Sequence, residues 1–175
     1  MLPSALLSVV VLGAAAPEAD SADELIRRAK AALMKGQVDE AAALAARAVE
    51  REPKNAGAWL FRGTLNAARR KQKEAVADFS KAIQLNPKLA EAYDRRGSEH
   101  FKLGQIDKSL ADFDRFLELR PDEKPGHWRR GITLYYAGKF DEGRKQFEAY
   151  EQKDTNDVEN AVWHYVCYAR VVGPE

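Results

Sequence analysis

The chain reads as an all-α solenoid, four helix–turn–helix units closed by a C-terminal capping helix. Three observations predict it. A 34-residue step joins Gly131, Gly97 and Gly63, with Ala29 as the fourth member. The same step joins Phe147, Phe113 and Phe79, with Ala45 as the small fourth member. It also joins Pro121, Pro87 and Pro53, where Thr155 is the exception. The frame divides into 22–55, 56–89, 90–123 and 124–157 without an insertion, and leaves 1–19 as an apolar leader and 158–172 as a final helix.

Each unit resolves into two helices. The first of each pair is expected over roughly 23–34, 56–69, 90–102 and 124–137, and the second over roughly 38–51, 73–85, 106–119 and 141–152. Gly36-Gln37, Gly104-Gln105 and Gly138-Lys139 mark the turns, because glycine enters the left-handed region at little cost; Arg70 is the exception. Glu52-Pro53, Asn86-Pro87 and Arg120-Pro121 end the second helices, since the residue before a proline avoids the helical region. The final helix, VENAVWHYVCYARVV, is capped by Asn156 or Asp157 and stopped by Gly173-Pro174.

At 175 residues and 45% hydrophobic content the chain supports one modest domain. A formal net charge of +1 gives no global pull toward nucleic acid or a membrane surface. The single cysteine, Cys167, excludes an internal disulfide and a thiolate-rich zinc site, and His100, His127 and His164 are too widely spread for a metal-ligand motif. The leader MLPSALLSVVVLGAAA is uncharged and has an Ala14-Ala15-Ala16 cleavage pattern. Its apolar run falls short of the roughly 20 residues a membrane span needs and suits a signal segment. The reading is export to the periplasm or cell envelope, with an uncleaved anchor or a cytoplasmic protein as alternatives. The leader has no cysteine for lipid attachment.

Period and residue types together resemble the tetratricopeptide repeat (TPR) family, whose unit is a 34-residue helix–turn–helix. The family's ordered set is an aromatic, two glycines, a small residue, a second aromatic, an alanine and a proline. Trp59, Gly63, Ala75, Phe79, Ala82 and Pro87 supply it in the second unit. Tyr93, Gly97, Gly104, Ser109, Phe113 and Pro121 supply it in the third. The fourth has Gly131, Gly138, Gly143 and Phe147, and the first only Gly36, Ala41, Ala48 and Pro53. Helix-interior glycines cost about 1 kcal/mol against alanine, a cost that close helix approach explains, with Ala75, Ser109 and Gly143 facing them. Phe116 and Tyr150 replace the alanines 48 and 82 and are expected to widen the helix spacing toward the C-terminal end.

Each unit carries one arginine in register: Arg28, Arg62, Arg96 and Arg130. Either these form a guanidinium ladder for an acidic ligand, or their stems pack on apolar surface and their heads pair with carboxylates such as Asp78 and Asp112. The run Arg69-Arg70-Lys71-Gln72-Lys73 reads as a solvated edge.

The resemblance implies a right-handed superhelix whose concave surface is lined by the first helices. Its inward positions nominate a partner-binding groove: Lys30 and Met34 in the first unit, Phe61 in the second, Arg95 and Lys102 in the third, and Trp128, Arg129, Ile132 and Tyr136 in the fourth. Tyr, Trp and Arg are the types enriched at binding hot spots. The competing reading packs Trp128 and its neighbours on the terminal helix. Some family members grip a C-terminal carboxylate with a lysine-and-asparagine clamp; Leu60, Thr64 and Pro125 occupy those places here.

The terminal helix is apolar nearly all round and is expected to leave surface for self-association, with Trp163 and Tyr168 as candidates and a homodimer as the outcome. The segment from Arg130 to Gly138, the Asp154-Thr155-Asn156-Asp157 turn and the tryptophan-bearing helix are also similar to bacterial envelope TPR lipoproteins of the "new lipoprotein I" type. That likeness implies dimerisation and an adaptor role in the envelope.

Nothing in the sequence assembles a catalytic constellation, a phosphate loop or a cofactor site, and no metal or nucleic-acid partner is expected. His164 and Cys167 lie one helical turn apart on an aromatic-rich helix, which reads as packing. The function implied is a non-catalytic adaptor that offers a groove to a protein or peptide segment, with a self-associating scaffold as the alternative.

Overall fold

The computed structural model describes residues 20–151 and 158–173. Among these, nine α-helices follow one another, each packed on its neighbours in sequence, with no strand. They are α1 (Ala22–Met34), α2 (Val38–Arg51), α3 (Ala56–Ala68), α4 (Gln72–Leu85), α5 (Ala90–Lys102), α6 (Ile106–Leu119), α7 (Trp128–Tyr136), α8 (Phe140–Glu151) and α9 (Val158–Val172). The result is a solenoid of four helix pairs closed by a terminal helix. The leader at 1–19, the turn at 154–157 and the expected caps Asn156 and Asp157 lie outside the described residues. No helix among those described is long and apolar enough to cross a membrane.

The turn chemistry follows the sequence. Ser21 Oγ accepts from the Glu24 N–H at 3.2 Å, and Asn55 Oδ1 from the Ala58 N–H at 3.1 Å, so α1 and α3 start on side-chain caps. Gly36, Gly104 and Gly138 take φ of +75°, +70° and +74°; Arg70 is driven into the same left-handed turn at +58°. Glu52, Asn86 and Arg120, each before a proline, leave the helical region with φ of −131°, −140° and −138° and ψ of 77°, 91° and 67°.

The repeat core is a glycine–phenylalanine contact. A Cβ built on Gly63 would lie 2.7 Å from Phe79, one on Gly97 2.9 Å from Phe113, and one on Gly131 2.6 Å from Phe147. The glycines therefore meet the rings themselves. The first repeat reaches close packing another way: Ala29 and Ala45 are both fully buried in a cluster of small side chains with Leu25, Leu44 and Val49. Of the small residues expected to face the glycines, Gly143 does so, its Cβ position lying 3.4 Å from the Gly131 carbonyl oxygen.

The arginines are structural in the last three repeats. Arg62 donates from Nε and Nη2 to Asp78 at 2.9 and 2.5 Å, and Arg96 likewise to Asp112 at 2.8 and 2.7 Å. Both aspartates are buried. In the fourth repeat that place holds Gln146, which accepts from Arg130 at 3.2 Å, and the counter-charge comes from Asp114 of the preceding repeat at 2.6 Å. Arg28 pairs with Asp20 at 2.5 Å. The guanidinium ladder is thus spent on internal carboxylates. Arg69, in the basic run, pairs with Asp39 of the first repeat at 2.9 Å.

One element departs from expectation. The first helix of the fourth repeat begins at Trp128, about one turn later than the expected 124. A 3₁₀ turn at Pro121–Glu123 and further turns through Gly126 occupy the interval. His127 then fills the space that Phe116 opens, its ring 4.8 Å from Phe113 and 5.2 Å from Phe116. Its Nδ1 accepts the Arg130 N–H at 3.2 Å, making it the N-cap of α7.

Candidate functional site

α3, α5 and α7 each turn one face to a shared groove. Its apolar part is a pocket walled by Phe101, Phe113, Trp128, Ile132 and Thr133, with Ser98, Lys102 and Arg129 at its rim. Its polar part, toward α3, is lined by Thr64, Ala67, Asp94, Arg95, Glu99 and again Lys102 and Arg129. Trp128 is 47% exposed although it lines the apolar pocket. The Arg129 guanidinium lies 5.4 Å from its ring, a cation–π distance.

A charge network fixes this surface. Asp94 accepts from His127 Nε2 at 2.9 Å and from Arg129 Nη1 at 2.9 Å. Because His127 Nδ1 is already an acceptor at the α7 cap, Nε2 must carry the proton. Burial alone would push the Asp94 carboxyl up; the His127 hydrogen bond and the charges of Arg129 and Arg95 outweigh it and hold the carboxyl below its ordinary 3.8. Lys102 pairs with Glu99 at 2.6 Å and Arg95 with Glu91 at 2.6 Å. Glu99 Oε2 is buried with no hydrogen-bond partner. The hydroxyls of Thr64, Ser98 and Thr133 are spent on the Leu60, Asp94 and Arg129 carbonyls of their own helices.

The nominated residues divide by location. Lys102, Trp128, Arg129 and Ile132 share the apolar pocket, and Arg95 lines the adjoining polar stretch. Tyr136 stacks edge-on against Phe101 at 5.5 Å and extends the wall. Lys30 and Phe61 meet each other at 5.9 Å, toward the first repeat. Met34 is 91% exposed at the end of α1 and joins neither pocket.

Trp163, nominated for self-association, is turned inward. Its ring lies 5.7 Å from Tyr135, 6.4 Å from Tyr136 and 6.5 Å from Phe147, and it shares a cavity with Trp128, Tyr150 and Asn160. It closes the C-terminal end of the groove, while Tyr168 stays on the outer face, 48% exposed.

Two of the groove residues that sequence reasoning missed are His127 and Glu99. His127 carried no signal beyond its neighbours Gly126 and Trp128. Glu99 did carry one, since the 34-residue step places it with the buried Leu65 and Thr133. Cys167 is buried, and burial pushes its thiol up to about 11, so it stays protonated and unreactive at neutral pH. Among the described residues no group of three His, Cys, Asp or Glu side chains is placed to hold a metal.

Models of the tetratricopeptide repeat match residues 26–90 and 90–123, together more than half of the chain. No curated protein matches. Among solved structures, the chain is similar to YrrB, described as a TPR protein with an unusual peptide-binding site, at 24% identity and a TM-score of 0.80 over 89% of this chain and 80% of that one. It is also similar to MamA from Desulfovibrio magneticus RS-1, at 16% identity and a TM-score of 0.74 over 88% and 93%. The first TPR of Spaghetti (RPAP3), bound to the HSP90 peptide SRMEEVD, shares 28% identity at a TM-score of 0.56 over 61% and 86%. The family models stop at residue 123, and neither they nor the solved structures named here show a likeness of the C-terminal part to envelope lipoproteins.

Proposed function

Because the chain belongs to the tetratricopeptide-repeat family, a family of protein–protein interaction modules, we propose that it is a non-catalytic adaptor whose groove along α3, α5 and α7 takes a segment of a partner protein. The observation that carries this reading is the exposed Trp128 beside an open pocket of Phe101, Phe113 and Ile132. An apolar wall with a few convergent polar groups is the form of a ligand site. Charge indicates the segment's chemistry. Arg95, Lys102 and Arg129 line the pockets, paired with Glu91, Glu99 and Asp94, and Lys30 adds a further positive charge along the groove. An extended segment with a bulky apolar anchor and flanking acidic residues complements both features. The terminal-carboxylate clamp is not rebuilt here, since Leu60 is apolar and the Thr64 hydroxyl is bonded to the Leu60 carbonyl.

A selection of displayed random peptides on the purified chain tests the reading. Enriched sequences should pair an aromatic or large aliphatic residue with Asp or Glu and should vanish with Trp128→Ala. Enrichment of basic sequences, or of none, would remove the groove from consideration.

A second reading is favoured by the outer face of α9, where Val158, Val162, Tyr165 and Tyr168 are exposed: the chain self-associates through this end. Export to the envelope remains proposed from the leader alone, and a signal-peptide cleavage assay by N-terminal sequencing of the mature protein decides it.

A further inference from the structure

The 34-residue step sets the four turns inside the repeats side by side. The first, third and fourth read Lys35-Gly36-Gln37, Leu103-Gly104-Gln105 and Ala137-Gly138-Lys139. Asp39, Asp107 and Asp141 follow them in the first turn of the second helix. The second repeat reads Arg69-Arg70-Lys71, and Lys73 stands where the others have aspartate. Over these four positions the formal charge is zero in the first and fourth repeats, −1 in the third and +4 in the second. Glu74 does not distinguish this turn, since Glu40 and Glu142 share its step.

Two of these substitutions work against local structure. Arg70 holds a φ of +58°, a region that favours the glycine of the other three turns. Lys73 puts a positive charge in the first turn of α4, at the positive end of the helix dipole, where an aspartate is favourable. The folded chain offers no internal compensation. Arg69 has a carboxylate partner, Asp39 at 2.9 Å. Arg70, Lys71 and Lys73 are exposed and form no ion pair among the described residues. A local rule broken twice in one turn, with no contact inside the chain to offset it, points to a contact outside the chain.

The turn borders the groove. Ala67 and Ala68 line its polar part together with Lys102, and Arg69 follows them directly in the chain. Within that part, Arg95, Lys102 and Arg129 are each matched by a carboxylate, Glu91, Glu99 and Asp94. The dense unmatched positive charge lies just past its α3 side. At the other end, Trp163 closes the groove against Tyr135 and Tyr136. We propose that the partner segment leaves the groove over the α3–α4 turn, and that Arg70, Lys71 and Lys73 hold a run of Asp or Glu on that side of its apolar anchor. The proposal rests on the groove reading and deepens it: the acidic residues form a run on one side of the anchor, and this turn supplies their counter-charge. Exposed charges of this kind act through long-range attraction, so the contact is salt-dependent.

Fluorescence anisotropy of the full chain with two labelled peptides tests this. One carries a phenylalanine anchor between runs of glutamate; its twin has glutamine for every glutamate. The test variant copies the turn of the third repeat: Arg70→Gly, Lys71→Gln and Lys73→Asp together. A control, Lys54→Asp with Lys88→Asp, changes the net charge equally in the turns between repeats, where both lysines are exposed. The intact chain should bind the glutamate peptide about tenfold tighter than its twin, an advantage that fades as salt rises. The turn variant should lose the advantage, keep the twin's affinity and melt no lower than the intact chain, while the control keeps the advantage. Equal affinity for the twins, or an advantage that survives the turn variant, overturns this inference and leaves the groove standing. Equal losses in variant and control reduce the effect to net charge and also overturn it. Failure of both peptides to bind overturns the groove reading and this inference with it. Binding of phosphatidylglycerol vesicles that only the turn variant abolishes, at unchanged peptide affinities, reassigns the turn to a membrane surface and overturns the proposed occupant.

Discussion

Arg130 donates from Nε to Asp114 at 2.6 Å, reaching back into the preceding repeat, whereas Arg96 meets Asp112 of its own repeat and finds Ser80 at the place equivalent to Asp114. The carboxylate has moved between two positions of the repeat, and the arginine has followed it. What is retained is a guanidinium with a counter-charge between stacked helices. Asp114→Ser is expected to cost about 1 kcal/mol, because Asp114 is half-exposed. Adding Gln146→Asp should return part of that loss by restoring the within-repeat pair, since the carboxylate cannot donate to the Lys124 carbonyl as the Gln146 amide does at 2.6 Å. Asp112→Ala, which leaves a largely buried guanidinium without its partner, should cost about 3 kcal/mol. Urea denaturation of the four chains measures all three.

The glycine–phenylalanine contact predicts a coupling between two sites. Gly97→Ala should destabilise by about 1–3 kcal/mol, since the new methyl meets the Phe113 ring. In a Phe113→Ala background the same change should turn stabilising by about 1 kcal/mol, the ordinary helix preference of alanine. Ala29 and Ala45 show that the fold already accepts the small–small pair. A double-mutant cycle in urea reads the coupling, and additive effects would contradict it.

Arg70 occupies a left-handed turn that Gly36, Gly104 and Gly138 fill elsewhere. Arg70→Gly should stabilise the chain by about 0.5–1 kcal/mol and raise Tm by about 2–4 °C. The Arg69–Asp39 pair is not disturbed by the change. A melting curve checks this, and a lower Tm would show that the Arg70 side chain contributes more than its backbone costs.

Acid should weaken the fold, in steps. Burial pushes the His100 imidazole below its ordinary 6.5, more than Gln105 and Asp112 raise it. A histidine with a depressed pKa contributes stability that is complete above 6.5 and is lost as pH falls through that value. The Glu52 carboxyl is held below 4.5 chiefly by the Ala22 N–H, and Asp94 is held below 3.8 by His127 and Arg129 against its burial. Both contributions are complete above the ordinary carboxylate values and are lost as pH falls through the lowered ones. Tm recorded from pH 8 to pH 3 should therefore stay level, then decline below about 6.5 and again in the carboxylate range. His100→Gln should remove the first decline. A Tm that rises on acidification would contradict the assignment.

Much of this was legible because repetition amplifies weak local signals. Gly63, Gly97 and Gly131 would each be ambiguous alone, and the 34-residue step makes them one statement, which the rings of Phe79, Phe113 and Phe147 explain. Legibility failed where a residue serves one repeat only. The late start of α7 depends on His127 filling the gap at Phe116 and capping with its own ring, which no periodicity encodes. The inward turn of Trp163 was hidden because α9 is apolar on nearly every side, so pattern could not say which side meets Tyr135 and Phe147. Asp94 stands beside the nominated Arg95, yet its role depends on two partners more than thirty residues away.

The central claim is that Trp128 and its pocket hold a partner segment. The most direct test is fluorescence anisotropy of a labelled peptide that pairs an apolar anchor with acidic residues, titrated with the intact chain and with Trp128→Ala, alongside the melting temperature of each. A groove site at Trp128 gives at least a tenfold weaker Kd in the variant, a loss of about 1.4 kcal/mol, at an unchanged Tm. An unchanged Kd, or a Tm that falls as binding is lost, would assign Trp128 to packing and contradict the groove.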